Sequence, residues 1–132
     1  MNNNILATIT KLLVGVLYFT ESESPFKVAD WGKIPPAQLL QKIAAQYHSA
    51  PSNLKQLDHV TFFNHLISKV DASDAPMVEN ARKIALFYAS LKQNLSNIQV
   101  IRVEGSNSIP VLITGYLPDG SCVVIETLAV ET

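Results

Sequence analysis

The segment Ile109-Pro-Val-Leu-Ile-Thr-Gly-Tyr-Leu-Pro-Asp-Gly-Ser-Cys-Val-Val-Ile-Glu-Thr-Leu-Ala-Val130 decides the fold. Two apolar, β-branched runs flank Pro118-Asp119-Gly120-Ser121, and Gly120 can take the positive φ that a tight hairpin turn needs. The pattern predicts antiparallel strands at Ile109–Leu117 and Cys122–Glu131. Just upstream, Ile98–Glu104 reads as a third strand, set off by a Gly-Ser-Asn-Ser turn. The end of the chain is therefore a β-meander. Further out, Phe26–Trp31 alternates apolar and polar with period two, the mark of a short half-buried strand. The rest is helical in pattern. Residues 4–20 carry Ile5, Ile9, Leu12, Leu13, Val16 and Leu17 on one face, with Asn3 or Asn4 as a cap. Pro35-Pro36 opens a helix to about Tyr47, Asp58 caps one at His59–Ser68, and Pro76 stands near the start of the longest, about 77–95. The order is helix, strand, three helices, three strands. This is an α+β domain: a largely antiparallel sheet of about four strands with about four helices packed on it. Periodicity leaves open whether the helices cover one face or both. No linker or repeat interrupts residues 1–132, so a single domain is expected.

Composition narrows the function. Apolar residues make up 48% of the 132 and charged residues 16%, with a net charge of −1. That is a folding chain with no basic field to attract nucleic acid directly. The charge is uneven, however. No Lys or Arg follows Arg102, while Glu104, Asp119, Glu126, Glu131 and the terminal carboxylate of Thr132 do. Folded as one piece, this tail would present a local negative field to a cationic partner. The one cysteine, Cys122, can form no internal disulfide, which suits a reducing compartment. The start lacks the charged region of a signal peptide, and the apolar run Leu12–Phe19 is far short of a membrane span. A cytoplasmic protein with no membrane partner is expected.

Chemistry of the chain's own is hard to find. His48, His59 and His65 lack the spacing of a metal site, and His59 and His65 are six apart, on different sides of a helix. Cys122 sits among Val and Ile, where packing explains it better than reactivity. The five glycines form no phosphate-cradling loop. Glu21 and Glu23 lie in a Ser-rich exposed turn, without the apolar pocket that would tune one of them into a general acid. No catalytic residue, cofactor or resident metal is expected. The acidic turn reads instead as solvated surface or as a recognition loop.

That turn, Phe19-Thr-Glu-Ser-Glu-Ser-Pro-Phe26, resembles the Ser-Glu-Ser-Glu-aromatic-Pro-Phe turn of the nuclease A inhibitor family. Other features follow in the same order: Trp31, Pro35-Pro36, an Asp-x-x-x-Phe-Phe helix start from Asp58 to Phe63, Lys92 to Val100 at the end of the long helix, and a final Val130-Glu131-Thr132. The resemblance implies an α-β-α sandwich that inhibits a metal-dependent, sugar-non-specific DNA/RNA endonuclease by occupying its cleft. It implies that Glu21 pairs with basic groups of the nuclease and that the terminal group of Thr132 reaches the nuclease-bound metal. Glu23, Glu131 and Asp74 are the further partner-binding candidates. The chain departs from the family in two respects. It is near neutral, with Lys27, Lys33 and Lys55 in its first half, and it has Asp74-Ala75 where the family's best match has Asp-Trp. A binding module of the same fold with a non-nuclease partner is the alternative.

Overall fold

A computed structural model describes residues 2–132, with side chains from Asn4 onward. The cap expected at Asn3 lies outside the described side chains, and Asn4 falls inside the first helix. That helix, α1 (Asn2–Leu12), ends well before residue 20. Gly15 takes φ 74°, which turns the chain out of the helix. The apolar run behind it, which periodicity alone cannot assign, becomes a strand, β1 (Leu17–Phe19). It pairs antiparallel with β2 (Glu23–Pro25) in a small hairpin that stands apart from the main sheet.

The main sheet has five antiparallel strands, one more than expected. They are β3 (Lys27–Lys33), β4 (Leu54–Leu57), β5 (Ser96–Val103), β6 (Ser108–Tyr116) and β7 (Ser121–Val130), in the order β3-β7-β6-β5-β4. The extra strand, β4, has only four residues, and Lys55 and Gln56 are exposed within it. A short, Lys-bearing strand suits a sheet edge, where it discourages pairing with another chain. The β6–β7 hairpin runs in continuous register from Ser108↔Val130 to Tyr116↔Cys122. Gly120, at φ 91°, makes its turn.

Three further helices complete the domain: α2 (Leu39–Gln46), α3 (His59–Ser68) and α4 (Ala75–Asn94). Asp58 caps α3 as expected, accepting from the Thr61 N–H at 2.9 Å. The helices cover both faces of the sheet. Val100, Val111, Ile113, Val123 and Ile125 pack with residues of α1, α3 and α4 in one buried cluster. Their alternates, Ile101, Leu112, Cys122 and Val124, pack with Leu39 and Ile43 of α2 in the other. The period-two alternation of the strands thus divides the core into two layers, an α-β-α sandwich. Cys122 is fully buried, and burial pushes its thiol above the ordinary value. In the larger core Phe63 stacks on Tyr88, with centroids 4.0 Å apart and planes 11° apart. Among the described residues no helix is long and apolar enough to cross a membrane.

Candidate functional site

The site is built where the β1–β2 hairpin meets the end of β7. Asn80 of α4 holds the base of the hairpin. Its side chain accepts from the Leu17 N–H at 2.9 Å and donates to the Leu17 carbonyl at 2.9 Å. Tyr18 packs on Phe26 and Phe62, at centroid distances of 6.0 and 5.9 Å. The turn itself is closed by the Thr20 N–H on the Ser22 carbonyl at 2.9 Å. It docks on β7 through two bonds. The Val130 N–H donates to Thr20 Oγ1 at 2.9 Å, and the Glu21 N–H donates to the Val130 carbonyl at 3.3 Å.

This docking brings Glu21 to the last residue of the sequence. The Thr132 N–H donates to Glu21 Oε2 at 2.7 Å, and the Thr132 hydroxyl donates to Oε1 at 2.7 Å. Both carboxylate oxygens are therefore engaged by one residue 111 positions away. Both residues are exposed. The Thr132 hydroxyl, and then its N–H, hold the Glu21 carboxyl below its ordinary value, against a smaller opposing effect of Glu131. The two positions singled out by sequence at opposite ends of the chain form one cluster.

Arg102 of β5 organises the residue next door. It has one N–H on Glu104 at 2.6 Å and a two-pronged contact with Glu131 at 2.7 and 2.9 Å. Charge-assisted forks of this kind are the strongest ordinary hydrogen bonds in proteins. They hold Glu131 below the usual carboxylate range. The Glu131 N–H is also bound, to the Asn107 carbonyl at 2.9 Å. The acids of the tail, expected to present a local negative field, do not gather in one patch. Arg102 pairs with Glu104 and Glu131. Asp119 accepts from the Ser121 N–H at 2.9 Å within the far hairpin. Glu126 lies beside Tyr47, which packs with the α2 layer. Charge that is adjacent in sequence is dispersed over two faces and two ends of the sheet.

The other expected residues sit further out. Glu23 is exposed on β2, opposite Phe19. Asp74 is exposed and caps α4, accepting from the Met77 N–H at 3.2 Å. Among the described residues no hydrogen bond joins Asp74 to the Glu21–Thr132 cluster. His59 bonds Tyr88 through Nδ1 at 2.7 Å, as a packing histidine would. Beside the cluster lies a groove of about 570 Å³ between the hairpin and α3, lined by Tyr18, Phe19, Phe62, Leu66, Arg102 and Glu131 among others. Sequence reasoning missed Asn80 and the role of Arg102. The one signal for Arg102 was its place as the last cation before an acidic tail.

Fold and site together define a small α-β-α sandwich that presents the bonded Glu21–Thr132 pair to solvent. The chain matches the nuclease A inhibitor-like protein family over residues 3–132, nearly its whole length, and it belongs to that family, one of nuclease-inhibitor type. No curated protein matches it.

Proposed function

We propose that this domain inhibits a metal-dependent, sugar-non-specific endonuclease by seating the Glu21–Thr132 rim in its active-site cleft. One observation carries the reading: Thr132 is bonded through both its N–H and its hydroxyl to the carboxylate of Glu21. Such a nuclease holds a divalent metal and basic side chains around the scissile phosphate. Carboxylate oxygens replace phosphate oxygens on both, because they are hard ligands for the metal and strong acceptors for Arg and Lys. In this reading Glu21 faces the basic groups and the terminal group of Thr132 reaches the partner's metal. Holding the two together before binding reduces the ordering cost of association. Glu23 and Asp74 supply outer contacts. Glu131, already occupied by Arg102, supports the rim from behind. The domain contributes no catalytic residue, metal or cofactor of its own, and it works in the cytoplasm, where a lone thiol such as Cys122 stays reduced.

The test is plasmid cleavage by such a nuclease in magnesium buffer. The wild-type domain is expected to block cleavage at near-equimolar ratio. Glu21→Gln and deletion of Thr132 are each expected to raise the inhibition constant by about tenfold or more, with the domain still folded by circular dichroism. Failure of the wild type against every such nuclease of its own organism overturns the proposal. A second reading, the same module with a non-nuclease partner, draws on the net charge of −1 and on Ala75 at the position of the family's tryptophan. A pull-down that recovers no nuclease but one consistent other protein would select it.

A further inference from the structure

The Glu21–Thr132 pair sits at the end of a strand, where chains fray unless they are tied down. The tie is Arg102. Its side chain lies on the same face of the sheet as Val100, and Glu131 continues the Val123, Ile125, Ala129 row of that face. β6 lies between their strands, so the guanidinium reaches over one strand to its partner, across two interstrand steps of roughly 5 Å each. It arrives as a planar fork on both Glu131 oxygens, at 2.7 and 2.9 Å, while its Nε–H is fixed by Glu104 at 2.6 Å. The Arg102 side chain is only 16% exposed, against 50% for Glu131. The arginine is thus the anchored member and the tail residue is the member being held. The peptide of Glu131 is also the last to bond within the sheet region, to Asn107. Beyond it, among the described residues, the hydrogen bonds of Thr132 are to Glu21.

We infer that Arg102 is a positioning residue for the inhibitory rim: by forking Glu131 from β5, across the intervening β6 on the same face of the sheet, it fixes where Thr132 is presented, without touching the partner itself. This rests on the proposed inhibition of a nuclease. A lysine would not serve equally, since a single ammonium offers a point charge in place of a two-point planar grip.

Two measurements test it, and the first needs no nuclease. Amide hydrogen exchange is followed at Thr132 and Glu131 in the wild type, Arg102→Gln, Arg102→Lys and Glu131→Gln. Arg102→Gln and Glu131→Gln are expected to speed exchange at Thr132 by about tenfold, with Arg102→Lys intermediate and the amides of β6 unchanged. Unchanged Thr132 exchange in both Gln variants overturns the inference. The second is a double-mutant cycle on the inhibition constant for a magnesium-dependent non-specific nuclease. Arg102→Gln is expected to weaken inhibition by about tenfold in the full chain and by less than about twofold once Thr132 is deleted, since both changes act through one contact. Equal loss in both backgrounds, or no loss in the full chain, also overturns it. A wild type that inhibits nothing would remove the proposed function and leave the exchange result to decide the positioning role. If Arg102→Gln fails to fold, Glu131→Gln replaces it in both measurements, with the same outcomes.

Discussion

Replacing Asn80 with alanine should cost about 2–3 kcal/mol of stability and loosen the β1–β2 hairpin. Asn80 is half-buried on α4, and its amide satisfies both the N–H and the carbonyl of Leu17, each at 2.9 Å. Pro25 stands opposite Leu17 in the hairpin and has no N–H to offer in exchange. Alanine removes two hydrogen bonds of about 1 kcal/mol net each and leaves two part-buried backbone groups only partly rescued by water. For a domain of this size, a loss of that order lowers the thermal midpoint by roughly 6–12 °C. Urea unfolding followed by Trp31 fluorescence and by circular dichroism measures it. Asn80→Asp sharpens the test, because it keeps the acceptor for Leu17 N–H but places a carboxylate oxygen where the donor met the Leu17 carbonyl. At neutral pH it should destabilise at least as much as alanine, and the difference should shrink in acid as the carboxyl regains a proton to donate. If Asn80→Ala stays within about 0.5 kcal/mol of wild type, the range of an ordinary surface change, the reasoning fails.

Two further outcomes follow from the geometry. A Cβ at Gly115 would meet Leu95 Cδ1 at 2.8 Å and Leu95 Cβ at 2.9 Å, so Gly115→Ala should cost about 1–3 kcal/mol in a denaturant melt, and should cost less when measured in a Leu95→Ala background, where the Cδ1 contact is gone. Because Thr132 lowers the Glu21 carboxyl below its ordinary value, the bond between them stabilises the fold above that ordinary value and is lost as pH falls through the lower folded one. Nuclear magnetic resonance of the Thr132 amide should therefore titrate with a midpoint below that of an unbonded glutamate, such as Glu21 in the chain lacking Thr132, and Glu21→Gln should abolish that titration; a midpoint no lower than the unbonded one contradicts the hydrogen-bonded geometry.

Much of the architecture was legible in the residues because it rests on local chemistry. Asp58 caps its helix through a bond three residues away, and Gly120 turns its hairpin through its own φ. The run Val111, Leu112, Ile113 marked β6 as a strand, while the fold decided that helices cover both of its faces. β1 and β4 were not legible in this way. A run of three or four residues carries too little periodicity to separate strand from helix or loop. β1 exists because Gly15 ends the helix and because Asn80, 63 residues on, satisfies its backbone. β4 exists because β5 offers it a ladder from Leu54↔Val103 to Leu57↔Val100.

The site divides along the same line. By itself the sequence determined which residue types could act: an acidic turn holding Glu21 and a threonine at position 132. Only the tertiary structure decided that Glu21 and Thr132 are one object, and that Glu131 is held by Arg102 rather than free. The reason is physical. Hydrogen bonds and ion pairs act over about 3 Å of space whatever the separation along the chain, and the folded sheet brings together residues 29 and 111 positions apart that no local pattern connects.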